Sequence, residues 1–159
     1  MINEKRIWHG EKLLQTYFKA LYNQDFTLHR RPEWLVSATG AQLEFDGYCP
    51  NLGIAIEHNG DTHYRFTPPF HKTPLDFIRQ KRNDRRKVYL CKKAGVQLII
   101  IRKLYTQYSP TALPALVERI YAKKQLRLPP DFSKVIVKAN GQVFKHKRVF
   151  FYYKWEEIV

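Results

Sequence analysis

Two carboxylates, Asp46 and Glu57, stand on either side of Pro50-Asn51-Leu52-Gly53. Proline early and glycine late is the chemistry of a tight turn. Leu43, Phe45, Gly47 and Cys49 alternate before it and Ile54 and Ile56 after it, which predicts two strands of a β-hairpin. With a four-residue loop, Cys49 pairs with Ile54 and Asp46 falls directly opposite Glu57. Tyr48 then meets Ala55 and Glu44 meets Asn59 on that face, while Phe45, Cys49, Ile54 and Ile56 pack on the other. Opposed β-carbons lie about 4.5–5.5 Å apart, where two like charges repel by about 3–4 kcal/mol at an effective dielectric of about 20. Either one carboxyl keeps its proton or a divalent cation sits between them, and an oxygen-rich acidic pair favours Mg2+ (or Mn2+). The alternative is a different register, with both groups as solvated strand charges.

The elements that must hold these groups are legible from periodicity and caps. From His9 to Gln24, Leu13, Leu14, Tyr17, Phe18 and Leu21 recur at helical spacing, with Glu11 in the first turn where a carboxylate suits the helix dipole. Thr73 and Pro74 form an N-cap and first position for a long helix through Leu90, ending near Gly95. On it Gln80, Asp84, Lys87 and Cys91 share one stripe, so that face can address the acidic pair. An ordinary Asp and Lys pair on a solvated face is the plainer reading of Asp84 and Lys87. Val96 to Ile101 reads as a buried strand and Leu113 to Lys124 as a third helix, giving the order αββαβα. Pro129-Pro130 then punctuates the chain, and Val135 to Lys145 around Asn140-Gly141 predicts a second hairpin. The expected organisation is a core over residues 1–128 with a basic, aromatic β extension over 129–159, part of the same domain.

Lysine and arginine number 28 against 14 acidic residues, a net charge of +14. That excess points to a polyanionic partner. No apolar stretch approaches the roughly 20 residues of a membrane span, and residues 1–10 lack a signal-peptide core, so nucleic acid is preferred, DNA first. Cys49 and Cys91 show no Cys-x-x-Cys spacing and read as small buried hydrophobes of a reducing, intracellular setting (cytoplasm, nucleus or nucleoid). A viral or mobile-element origin is in keeping with these features. Lys81, Arg82, Arg85 and Arg86 crowd the second helix, with Gln80 and Asn59 beside them, as candidate nucleic-acid contacts. Further clusters follow at Lys92, Lys93, Lys123, Lys124 and Arg127, then at Lys134, Lys138, Lys145, Lys147 and Arg148. Such clusters fix a phosphate backbone without reading its sequence. In the tail Phe144, Phe150, Phe151, Tyr152, Tyr153 and Trp155 interleave with cations, as packing, as a stacking surface, or as an edge for a homodimer.

Glu11, then Leu43-Glu44-Phe45-Asp46-Gly47-Tyr48, then Ile54 through Tyr64, then Asp84 and Lys87 before a buried strand, together resemble the PD-(D/E)xK restriction-endonuclease-like superfamily. The closer resemblance, over about Gly10 to Ile101, is to its branch of very-short-patch-repair endonucleases and related homing endonucleases. It implies an α/β fold with a restriction-endonuclease-like core: a mixed central sheet flanked by helices, here with the C-terminal hairpin appended. It also implies a metal-dependent endonuclease whose Glu-Asp-x-His-Asp set maps onto Glu11, Asp46, His63 and Asp84, with Glu57 at the variable position. Phe45 replaces the proline expected before the first aspartate, and Asn59 replaces the usual lysine two residues after the second acid. The structural zinc site of the repair enzymes is not transferred to Cys49 and Cys91.

The expected reaction is phosphodiester hydrolysis by a water activated beside one or two divalent ions. Asp46 and Glu57 would ligate the metal, with Glu11 as an additional acid. His63 would be the base, since an imidazole near pKa 6.5 can accept a proton from that water and the resembling branch uses a histidine there. A surface histidine contacting phosphate is the alternative. Asp84 would orient His63 or hold a metal-bound water, and Lys87 would bind phosphate or stabilise developing charge. Competing readings are a non-catalytic nucleic-acid-binding or packaging protein on the same fold, a dimeric junction-resolving nuclease, and, more distantly, a zinc hydrolase built from His58, His63 and His71.

Overall fold

The computed structural model of the chain is described over residues 9–102, 112–129 and 132. In chain order its elements are α1 (His9–Tyr22), β1 (Thr27–Arg30), β2 (Phe45–Cys49), β3 (Ile54–Asn59), a 3-10 turn (Asp61–His63), α2 (Pro74–Ala94), β4 (Gln97–Arg102) and α3 (Ala112–Lys123). The architecture is α/β, with three α-helices and a four-stranded mixed sheet in the order β1-β2-β3-β4. The residues group into two compact units, Phe26–Lys103 with the whole sheet and α2, and a second that carries α1 and α3.

In the helical unit, α1 buries Leu14, Tyr17, Phe18 and Leu21, and α3 buries Leu113, Val117 and Tyr121. These spacings of three and four residues make one apolar stripe on each helix. The Tyr22 and Tyr121 hydroxyls hydrogen-bond at 2.6 Å, which satisfies two polar tips inside that packing.

In the sheet unit the turn forms where its residues predict it. The Gly53 N–H donates to the Pro50 carbonyl at 3.1 Å, and Gly53 sits at φ 64°, a conformation that suits a residue without a β-carbon. The hairpin pairs Cys49 with Ile54, Tyr48 with Ala55 and Gly47 with Ile56. At Gly47 a β-carbon would fall 2.7 Å from Ile56 Cγ1, so the missing side chain is what lets Ile56 bury fully across from it. β4 then runs parallel to β3, from Ile54 opposite Gln97 to Asn59 opposite Arg102, with α2 as the crossover.

α2 has defined ends. Thr73 Oγ1 accepts from the Asp76 N–H while the Asp76 carboxylate accepts from the Thr73 N–H, a reciprocal capping box. At the other end Gly95 takes the left-handed conformation (φ 70°) and its N–H closes onto the Cys91 and Lys92 carbonyls. Leu90 and Cys91 join Leu35, Leu43, Phe45, Tyr48, Ala55 and Leu98 in one buried cluster. Both cysteines are buried thiols.

Several expectations need correction or restriction. Phe45 shares a cluster with Tyr48 and Ala55, so the face carrying the acidic pair is itself packed along most of its length rather than reserved for chemistry. β1 was not foreseen; it pairs antiparallel with β2, Arg30 against Phe45, and extends the sheet. Glu44 precedes β2 instead of facing Asn59, and its carboxylate accepts from His29 Nδ1 and Arg31 Nε, both at 2.9 Å. The hairpin expected over Val135–Lys145, the basic residues from Lys134 onward and the aromatic tail lie outside the described residues. Among the described residues no helix is long and apolar enough to cross a membrane.

Candidate active site

Continuing the hairpin register one step past Gly47 and Ile56 sets Asp46 opposite Glu57. The two acids are held by each other's strands: Asp46 Oδ2 accepts from the His58 N–H at 2.7 Å, and Glu57 Oε1 accepts from the Asp46 N–H at 3.3 Å. Asp46 is the second residue of β2, Glu57 lies in the second half of β3, which Asn59 closes, and Arg102 closes β4. Antiparallel and parallel pairing thereby collect all four at one end of the sheet.

α2 adds a third charge. With Leu90 and Cys91 docked on the sheet, the preceding turn points Lys87 at the acidic pair, and its Nζ lies 2.9 Å from Glu57 Oε2. Glu57 is 3% exposed. Burial pushes its carboxyl up to about 7; Lys87 opposes that rise and Asp46 adds to it. Burial alone would lower Lys87, but the carboxylates of Glu57, Asp46 and Asp84 reverse the effect and hold the ammonium above the ordinary lysine range. Burial thus favours the neutral carboxyl at Glu57, while the surrounding carboxylates favour the charged ammonium at Lys87. The repulsion between the acids is thus offset by an ammonium that the helix delivers, an offset distinct from a retained proton or a metal.

The helix stripe faces this end of the sheet residue by residue. His63, in the 3-10 turn that follows β3, has Nδ1 3.0 Å from Asp84 Oδ2. A carboxylate only accepts, so Nδ1 carries the proton and a neutral imidazole keeps its lone pair on Nε2. One turn earlier Gln80 meets His71 rather than the site. His71 Nδ1 accepts from the Thr67 N–H at 3.0 Å, so Nε2 donates to Gln80 Oε1 at 2.6 Å. Both ring nitrogens of His71 are thus engaged, which removes it from any zinc set with His58 and His63. Burial lowers the proton affinity of His58, with Asp46 acting against that shift.

Glu11 is half-buried in the first turn of α1, in the helical unit. Arg82 and Arg85 are exposed on α2, whereas Arg86 donates to the Val36 carbonyl and lies over the Tyr89 ring. Asn59 is 6% exposed, and among the described residues its Oδ1 has no hydrogen-bond partner. Two residues escaped the sequence reading: Tyr64 and Arg102, whose guanidinium stacks 3.7 Å from the Tyr64 ring centre. Tyr64 follows His63 directly, which was a usable hint; only the parallel pairing of β3 with β4 ties Arg102 to it.

Among the described residues no group of three or more His, Cys, Asp and Glu gathers as a metal site. The donor set is two carboxylates, Asp46 and Glu57. Magnesium is commonly held by one or two carboxylates, with waters and phosphate oxygens completing its shell. The orphaned, buried Asn59 Oδ1 wants a donor of the kind a cation-bound water supplies. The residues fit a hydrated Mg2+ or Mn2+ and not a closed zinc cage.

No family model matches the chain, and no solved structure matches it. It is 42% identical over 57 residues to "Uncharacterized protein 307L" of Invertebrate iridescent virus 6, covering 36% of this chain and 29% of that one. It is 33% identical over 89 residues to "Uncharacterized protein 033L" of Invertebrate iridescent virus 3, covering 55% and 43%. To "Uncharacterized protein 094L" of Frog virus 3 (isolate Goorha) it is 40% identical over 62 residues, covering 38% and 40%. Each match spans less than half the length of the viral protein concerned.

Proposed function

We propose that this chain is a divalent-metal-dependent endonuclease that hydrolyses phosphodiester bonds, DNA first, on a restriction-endonuclease-like core. The observation that carries the reading is the opposition of Asp46 and Glu57 at the sheet end, with Lys87 on Glu57 and the His63–Asp84 pair on the adjoining turn and helix. Asp46 and Glu57 would hold Mg2+ or Mn2+. Bound there, the cation would polarise the phosphate and lower the pKa of a water. Asp84 fixes the His63 ring and its tautomer, leaving Nε2 to take a proton from the attacking water. Lys87, 2.9 Å from Glu57 Oε2, would present positive charge where charge develops on the phosphate.

The decisive experiment is cleavage of plasmid and oligonucleotide DNA with Mg2+ or Mn2+ against EDTA, for the wild type, Asp46→Asn and Glu57→Gln. Asp46→Asn should stay folded and bind DNA, with cleavage down by about a hundredfold or more; Glu57→Gln strands the Lys87 ammonium, so its cleavage is compared only after circular dichroism shows it folded. Full cleavage by either removes the metal assignment. A second reading, a non-catalytic nucleic-acid-binding or packaging protein, is favoured by the Lys87–Glu57 pair, because the ammonium offsets the buried carboxylate without a metal. DNA binding with no metal-dependent cleavage selects it. A junction resolvase would add a dimer and a preference for branched DNA, read by sedimentation and a four-way substrate.

A further inference from the structure

Arg102, Tyr64 and Lys81 form a second cluster at the same end of the sheet. Arg102 ends β4 in register with Asn59, and its guanidinium carbon lies 3.7 Å from the Tyr64 ring centre. Lys81 Nζ lies 5.5 Å from the centre of that same ring. Among the described residues neither cation has a carboxylate within ion-pair distance, although Lys87, Arg79, Arg65 and Arg31 all do. Two like charges are thus drawn to one aromatic ring, and among the described residues neither has a counter-charge. An anion is what this arrangement lacks.

The geometry also favours one kind of anion. The Tyr64 ring holds the Arg102 guanidinium at 3.7 Å, and a guanidinium so placed can offer its N–H groups to a bidentate partner, which a phosphate matches. Its rotamers are restricted before any ligand arrives, so less freedom is lost on binding. Tyr64 is the residue after His63, and Lys81 lies three residues before Asp84 on α2, so the cluster adjoins the His63–Asp84 pair from both elements.

We infer that Arg102 and Lys81, arrayed on Tyr64, clamp a nucleic-acid backbone phosphate neighbouring the one presented to Asp46 and Glu57. The inference rests on the nucleic-acid reading of that site and adds a residue, Arg102, that sets where the strand lies. It assigns Tyr64 as the platform for a cation rather than as a free stacking surface for bases.

The test is equilibrium binding of the full chain to a fluorescent oligonucleotide in EDTA across a series of KCl concentrations, in an Asp46→Asn background. Arg102→Gln and Lys81→Gln should each reduce the slope of log affinity against log salt by about one, and together by about two. Tyr64→Leu keeps both charges, so it should weaken binding with the slope nearly kept. An unchanged slope and affinity in Arg102→Gln overturns the clamp, as does a wild type that binds no nucleic acid. The Arg102 Nε–H resonance, followed by NMR, gives a second readout: it should move with the oligonucleotide at far lower concentration than with inorganic phosphate or a free triphosphate. The reverse order assigns the site to free nucleotides and overturns the proposal. Slopes that fall as expected in a protein that never cleaves would uphold the clamp and sink the nuclease reading. Metal-dependent cleavage by wild type with KM unaffected by Arg102→Gln would do the opposite.

Discussion

Lys87 Nζ and Glu57 Oε2 lie 2.9 Å apart with both side chains largely shielded from water, so one helix and one strand are joined by a buried ion pair. Such a pair adds little over an apolar replacement of both partners, yet removing one partner strands a buried charge.

Lys87→Met should therefore cost about 3–5 kcal/mol at pH 8. The loss should be smaller at pH 6, where Glu57 can take a proton and be buried neutral. Urea unfolding at the two pH values checks this. An equal loss at both would show that Glu57 is not the group left uncompensated.

Glu57 also predicts a pH dependence with a definite sign. Its folded value near 7 lies above the ordinary 4.5, so the stability it contributes is fully present below about 4.5 and is lost as pH rises through about 7. Metal binding runs the other way, because a ligating carboxylate must be ionised. Mn2+ affinity, followed by calorimetry, should rise by up to about tenfold per unit towards pH 7 and then level off. A flat profile from pH 5.5 to 8 would take Glu57 out of the metal site, and Glu57→Gln should abolish the rise.

His63 and Asp84 should behave as one unit. If His63 is the base, His63→Ala lowers kcat by about 10²–10⁴. Asp84→Asn should lower kcat as well, with little change in KM, and the double variant should be no worse than His63→Ala alone. Additive losses would mean that Asp84 acts independently of the imidazole, and near-normal turnover of His63→Ala across neutral pH would move the base role elsewhere.

Gly47→Ala tests the packing beneath the site. The new methyl would meet Ile56 Cγ1 and Cδ1 at 2.7 and 2.8 Å, and Ile56 is fully buried. The expected loss is about 1–3 kcal/mol by thermal or urea unfolding. A neutral substitution would mean that β2 and β3 can separate there without penalty.

Local chemistry made much of this molecule legible in its sequence. Pro50 and Gly53 dictate the turn and, through it, the register that opposes Asp46 to Glu57. Thr73-Pro74 and Gly95 bound α2, and helical periodicity alone puts Gln80, Asp84, Lys87 and Cys91 on one stripe. Each signal acts between residues close in the chain, where backbone geometry is enough to relate side chains. β1 left no such mark: Thr27–Arg30 is short and polar, and His29 interrupts it at φ 53°. Its strand character comes from pairing with β2.

Tertiary structure decided what each residue of that stripe touches. Docking of Leu90 and Cys91 on the sheet sends Lys87 to Glu57 and Asp84 to His63, while Gln80 is spent on His71. Parallel pairing of β3 with β4 sets Arg102 beside Asn59, where it meets Tyr64, and burial leaves Asn59 Oδ1 without a partner among the described residues. These relations join residues far apart in the chain, and they depend on how much area each docking removes from water. No local spacing encodes that quantity.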